Sequence, residues 1–178
     1  MTHEDHVRLI EKGIRKGSGE VWADFGSGEG AFTLALRDVA GENTEIYSID
    51  KNEESLTLQK KQFEKLFPDS DIKFIQADFM TQLNLPPLDG LIAANSIHFQ
   101  TDTVKVCKHL AQYLKPNGRF IVVEYNVDQG NMWVPYPFSF SSFQGFAQQA
   151  GLTEPELLAA VPSRFLNEIY ASLAFKKT

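Results

Sequence analysis

The chain has 178 residues, 43% of them hydrophobic, with 17 Lys and Arg against 23 Asp and Glu and a formal net charge of −6. That length suits one domain with a substantial core, and the acidic balance argues against a broad electrostatic grip on nucleic acid. No apolar run approaches the ~18 residues of a membrane span, so no membrane association is expected. A single cysteine, Cys107, excludes an intrachain disulfide and a cysteine-cluster metal site, and no metal site is expected. Met1-Thr2-His3-Glu4-Asp5-His6 is polar and lacks the apolar core of a signal peptide, which makes the cytoplasm the expected location.

In chain order, Val7, Ile10 and Ile14 recur at helical spacing and predict an N-terminal helix over residues 4–16, ended by Gly17-Ser18-Gly19. A first strand is predicted at 20–25. Directly after it comes Asp24-Phe25-Gly26-Ser27-Gly28-Glu29-Gly30, followed by a helical run at about 29–40 with Gly41 as its C-terminal cap. Alternating glycines let the backbone turn sharply and let a ligand touch the main chain. The helix start offers unpaired N–H groups. The acid before the first glycine discriminates between ligands. A carboxylate there repels a pyrophosphate but welcomes an ammonium and a sulfonium, the charges of S-adenosylmethionine.

Glu45-Ile46-Tyr47-Ser48-Ile49-Asp50 reads as a second strand ending in an acid. At that place in an open parallel sheet, a carboxylate meets the ribose hydroxyls of a nucleoside held by the first loop, with charge-assisted hydrogen bonds. Asn52 caps the next helix, with Glu53 and Glu54 in its first turn, and Pro68-Asp69-Ser70 ends it. Strands follow at 72–77 and 88–94, then a helix at 102–115 with Val104, Cys107, Ala111 and Leu114 on one face. Pro116-Asn117-Gly118 reads as a turn and 119–125 as a fifth strand. After a helix at 141–150, Leu157–Phe165 and Ile169–Lys176 are strand-like runs whose short link joins only antiparallel neighbours.

Five of these stretches together resemble one family: Asp24–Gly30, Asp50, Lys73–Phe79, Leu88–Ser96 and Leu114–Glu124. The chain resembles the class I, Rossmann-like, S-adenosylmethionine-dependent methyltransferases. The resemblance spans residues 18–126 by motif and the rest by strand order. It implies an α/β fold, doubly wound, with a mostly parallel seven-stranded sheet in the order 3-2-1-4-5-7-6. Strand seven would be antiparallel, with helices on both faces. Within one domain, residues 1–17 would form the N-terminal helix, 18–126 the cofactor-binding core, and 127–178 a substrate-side loop, helix and terminal strand pair.

The implied cofactor is S-adenosyl-L-methionine. Asp24, Gly26, Ser27, Gly28 and Gly30 would hold its methionine part and Asp50 its ribose. Lys51 would lie beside the adenine, with Asp78 and Phe79 contacting it. Asn95 ends the fourth strand, nearest the transferred methyl group in this family, where it would also contact the cofactor, and with Ser96 and His98, which follow it, makes up the candidate catalytic set. His98 is the general-base candidate, since an unperturbed imidazole titrates at about 6.5. His109 is expected to face solvent. The Asn-Pro-Pro-Tyr motif typical of enzymes that methylate nucleic-acid amino groups is absent, because residues 95–98 read Asn-Ser-Ile-His.

Trp133, Tyr136 and Phe138 lie in a proline-interrupted aromatic segment after the fifth strand and are candidate walls of an apolar acceptor pocket. Phe143 and Phe146 read instead as a helix face packed on the sheet. A small, partly apolar acceptor is therefore expected, and nucleic acid is not. The N-terminal helix, or a second subunit of a homo-oligomer, would close the pocket. Two other readings use the same residues. Gly26-x-Gly28-x-x-Ala31 with Asp50 downstream also fits a dinucleotide fingerprint and hence a nicotinamide oxidoreductase. A non-catalytic S-adenosylmethionine-binding module would keep the cofactor loop without the chemistry.

Overall fold

A computed structural model describes all of residues 1–178. Helix α1 (His3–Ile10) opens with a capping box: Thr2 Oγ1 accepts from Asp5 N–H, and the Asp5 carboxylate accepts from Thr2 N–H. The α1 helix is shorter than predicted. It tightens into a 3-10 turn at Glu11–Gly13, where the chain presses on the sheet. A Cβ at Gly13 would stand 2.8 Å from Ile121 Cδ1.

Strand β1 (Val21–Phe25) leads into α2 (Ala31–Ala40), β2 (Glu45–Asp50) into α3 (Glu53–Leu66), and then come β3 (Ile72–Gln76) and β4 (Leu88–Ala94). Helix α4 (Thr103–Ala111), β5 (Leu114–Tyr125), α5 (Phe140–Gln149), β6 (Glu156–Pro162) and β7 (Glu168–Phe175) complete the chain. All seven strands form one sheet in the order β3-β2-β1-β4-β5-β7-β6, as the resemblance implies. The first five run parallel, and β7 is antiparallel to both β5 and β6.

Alternation along the strands sends neighbouring side chains to opposite faces of the sheet. Ala23, Phe25, Phe120 and Val122 join a core with Val106, Leu110, Phe143 and Ala147 of α4 and α5. Trp22, Ile92, Ile121 and Val123 join a second core with Leu9 and Ile10 of α1 and Phe32 and Leu36 of α2. Cys107 is fully buried in the first core. The N-terminal helix is thus part of the second core. None of its residues lines the cleft described below.

Other boundaries differ from the sequence reading. Helix α4 stops at Ala111 rather than 115, so Leu114 opens β5 instead of lying on the helix face. Strand β5 begins before Pro116-Asn117-Gly118, which forms an irregularity inside it: Leu88 pairs with Leu114, and Gly90 next pairs with Arg119. Strand β6 stops at Pro162, which has no N–H to donate, and Asn167 turns the chain with φ 58°. No helix is long and apolar enough to cross a membrane.

Candidate functional site

A cleft of about 450 Å³ opens at the carboxyl ends of β1, β2, β3 and β4. Open parallel sheets bind ligands at this edge, and the volume lies in the range of small-molecule sites. Its apolar lining is limited to Ala77, Phe79 and Phe99. The rest is Gly26, Gly28, Asp50, Lys51, Asn52, Ser55, Asp78, Asn95, Ser96 and Gln100.

The loop after β1 is shaped by its hydrogen bonds. Gly26 and Ser27 both donate their N–H to the carbonyl of Ile49, which fastens the loop to β2. Gly26 adopts φ 76°, and a Cβ there would come within 2.5 Å of Ser96 Cβ. No side chain fits between the two strand ends. Ser96 in turn donates from Oγ to the Phe25 carbonyl at 2.8 Å.

Asp50 closes the end of β2. Its Oδ2 accepts from Gly28 N–H at 2.7 Å and its Oδ1 from Asn52 N–H at 2.8 Å. Each carboxylate oxygen retains a further lone pair for a ligand hydroxyl. Asn52 also caps α3, its side-chain oxygen accepting from Ser55 N–H. On the far wall, Asp78 accepts from Met80 N–H. Phe79 is held by His109, whose Nε2 lies 2.9 Å from the Phe79 carbonyl. His109 is therefore half-buried behind the cleft rather than solvent-facing, because the Phe79 carbonyl gives its ring a partner.

Two buried oxygens at this edge have no hydrogen-bond partner: Oδ1 of Asn95 and Oδ1 of Asp24. Asn95 lines the cleft with its backbone in the left-handed region, φ 49°. Asp24 does not line it. It lies beneath the glycine loop, 1% exposed, with Oδ2 accepting from Thr33 Oγ1 of α2 at 2.7 Å. Burial pushes its carboxyl up to about 7. The Thr33 hydroxyl opposes that shift, and the nearby Asp50 charge adds to it.

The other predicted residues divide clearly. Ser27 and Gly30 belong to the loop but are not part of the cleft wall. Ser27 is bonded to Ser48 and Gln59, and Gly30 forms the left-handed start of α2. His98 is 1% exposed and off the cleft wall. Its Nδ1 lies 2.8 and 2.9 Å from the two oxygens of Glu124, itself 1% exposed. Burial raises the Glu124 carboxyl, against the lowering influence of His98 and of the Tyr125 N–H. The ring of Phe99, a cleft residue, lies 4.3 Å from that of His98, and the ring of Tyr125 lies 6.2 Å from it.

The aromatic segment corrects one expectation outright. Phe138 is 2% exposed and packs against Phe143 and Phe146, so it belongs to the core and not to a pocket wall. Its carbonyl accepts from the buried Tyr170 hydroxyl, which fixes the segment inward at this point. Trp133 and Tyr136 are exposed and do not line the cleft. Tyr136 is nonetheless tied to the site, because its N–H donates to the carbonyl of His98 at 3.0 Å. Sequence reasoning missed Gln59, Glu124, Phe99 and Gln100. Two of these carried a signal. Gln59 sits on the stripe Leu56-x-x-Gln59-x-x-x-Phe63, and Glu124 ends the apolar run Phe120–Val123.

A doubly wound sheet ending in an antiparallel strand pair, with a polar cleft at its carboxyl edge, defines an open-sheet α/β protein built to take a small ligand at that edge. Residues 16–153 match the family described as a methyltransferase domain, and the chain belongs to that family. It is 27% identical over 116 residues to the ubiquinone/menaquinone biosynthesis C-methyltransferase UbiE of Pasteurella multocida, an alignment covering 64% of this chain and 42% of that protein. The chain thus spans less than half the length of that curated relative. Its fold matches the YcgJ protein of Bacillus subtilis with a TM-score of 0.79 at 14% identity, over 99% of this chain and 100% of that one. A SAM-dependent methyltransferase from Aquifex aeolicus matches with a TM-score of 0.70 at 18% identity, over 98% of each chain.

Proposed function

We propose that the chain transfers a methyl group from S-adenosylmethionine to a small, partly apolar acceptor. The observation that carries this reading is the Asp50 carboxylate, fixed by Gly28 and Asn52 yet lining a polar cleft. Such a group is suited to a vicinal diol. The residues present fit the rest of the cofactor. The unpartnered Oδ1 of Asn95 can accept from an ammonium, Gly26 leaves the main chain bare, and Asp78 and Phe79 offer an acid and a ring to the adenine. Asp24, buried under the loop, would act on the same cationic end through space. S-adenosylmethionine supplies an electrophilic methyl carbon on a sulfonium.

The protein's remaining task is to align an acceptor and, where that acceptor is a hydroxyl or other acid, to take its proton. We assign the proton to His98 Nε2, because Glu124 occupies Nδ1 and so fixes which nitrogen is left basic. Phe99 and Tyr136, both exposed and both in contact with His98, would flank the acceptor. The UbiE relative is named for a small-molecule pathway, and the net charge of −6 disfavours nucleic acid.

Calorimetry with S-adenosylhomocysteine and with NADH tests the cofactor. Binding of NADH alone would overturn the reading. A screen with methyl-labelled cofactor against metabolite fractions, RNA and protein tests the acceptor. Label confined to RNA or protein would overturn the small-molecule assignment.

A further inference from the structure

Gln59 is a polar side chain on the inward stripe of α3, fully buried between Leu56 and Phe63. All its hydrogen-bonding capacity points at the glycine loop and the strand below it. Its Oε1 accepts from Ser48 Oγ at 2.6 Å. Its Nε2 donates to Ser27 Oγ at 3.2 Å and to the Gly28 carbonyl at 3.1 Å. The two serine hydroxyls lie 2.8 Å apart. Each hydroxyl has one hydrogen to give. With that of Ser48 on the amide oxygen, that of Ser27 closes a ring of three hydrogen bonds. The second amide hydrogen is left for Gly28. A flipped amide would set two oxygens against each other at Gly28, so the network fixes its orientation.

Gly28 is thereby held on both sides of its residue. Asp50 takes its N–H and Gln59 takes its C=O, while its φ of 53° lies in the left-handed region. The fit is close on the other flank too, since a Cβ at Gly30 would overlap the Gln59 side chain. Both anchors belong to one unit: Asp50 Oδ1 is bonded to Asn52, the cap of the helix that carries Gln59.

We infer that Gln59 is a positioning residue for the cofactor: it never lines the cleft, but it sets the loop in its binding shape before the ligand arrives. The inference rests on the S-adenosylmethionine reading of the cleft. A loop ordered in advance loses less entropy on binding, and a buried ring of satisfied hydrogen bonds resists rearrangement.

The test uses Gln59→Leu, which keeps the volume and removes every hydrogen bond. Two measurements are made on the unliganded and liganded full chain: amide exchange at Gly28 by NMR, and the Kd of S-adenosylhomocysteine by calorimetry. Gly28 exchange is expected to quicken in the unliganded protein and Kd to rise by roughly tenfold or more. A lowered Tm with unchanged Kd and unchanged Gly28 exchange would reduce Gln59 to an ordinary core residue and overturn the inference. Should the leucine variant fail to fold, Gln59→Met replaces it: close in volume and unbranched, it too has no hydrogen for Gly28, and the same pair of shifts is expected. If the wild-type chain binds no S-adenosylhomocysteine, the cofactor reading fails by that result alone, and the Gly28 exchange rates still decide whether Gln59 holds the loop.

Discussion

Glu124 approaches Nδ1 of His98 with both carboxylate oxygens, at 2.9 and 2.8 Å, where each residue is only 1% exposed. The two come from neighbouring strands. Glu124 lies near the end of β5, and His98 follows the end of β4. A buried pair of this kind is weak support for stability, because desolvation offsets much of the attraction. Removing one partner is a different matter, since the other is then buried alone.

Glu124→Gln therefore separates chemistry from folding. The amide keeps the size and one acceptor but loses the second carboxylate oxygen that faces His98 Nδ1. Methyl transfer to a proton-bearing acceptor is expected to fall by roughly a hundredfold or more, the scale of general-base catalysis, while cofactor affinity stays unchanged. His98→Asn should do the same. Full activity of both variants in a single-turnover assay would remove His98 from the mechanism.

Asp50→Ala removes the acceptor of Gly28 N–H as well as the group aimed at the ribose. Loss of charged hydrogen bonds of about 1.5–3 kcal/mol lowers cofactor affinity roughly tenfold to a hundredfold. Calorimetry with S-adenosylhomocysteine measures it. An unchanged Kd would show that this acid does not hold the nucleoside.

The fold was legible because each strand carries its own signal. β2 and β4 fall on the predicted residues, 45–50 and 88–94, since both are short apolar runs bounded by polar turns. The strand order came from the family resemblance and from the short link before the last strand. The cleft was legible where chemistry and main-chain geometry coincide, at Gly26, Gly28, Asp50, Asp78 and Asn95, all of which line it. What escaped depends on the third dimension. Gln59 lies 31 residues from Gly28, and Glu124 lies 26 from His98. Phe138 and Tyr136 are two residues apart in one aromatic segment, yet one is core and the other exposed. Composition gives no means of separating them, because the Tyr170 and His98 anchors that sort them come from other elements.

Asp24 makes stability depend on pH. Its carboxyl is pushed from 3.8 to about 7 in the fold, chiefly by burial. A carboxyl raised on folding holds its proton more tightly in the native state than in the unfolded one. Stability is then undiminished below about 4 and falls as pH rises through the window up to about 7. The loss by pH 8 has an upper limit of about 4 kcal/mol. Asp24→Asn should abolish this dependence, making the unliganded variant more stable than wild type at pH 8 but not at pH 4. Urea denaturation at the two values checks it. Parallel stability profiles for the two proteins would show that Asp24 does not titrate in this window.

The aromatic segment provides a test with opposite outcomes at neighbouring positions. Phe138 is 2% exposed and stacked on Phe143, so Phe138→Ala removes a buried ring and is expected to cost about 3–5 kcal/mol of stability. Trp133 and Tyr136 are 69% and 47% exposed. Trp133→Ala and Tyr136→Ala should leave Tm nearly unchanged. If these rings flank the acceptor, their loss raises the acceptor KM severalfold without altering the Kd of S-adenosylhomocysteine, because neither ring lines the cofactor cleft. The Tyr136 backbone bond to His98 survives the substitution, so His98 stays anchored and the effect is confined to the side chain. Wild-type acceptor KM in both variants would move the acceptor away from this segment and toward Phe99 and Gln100 on the cleft wall.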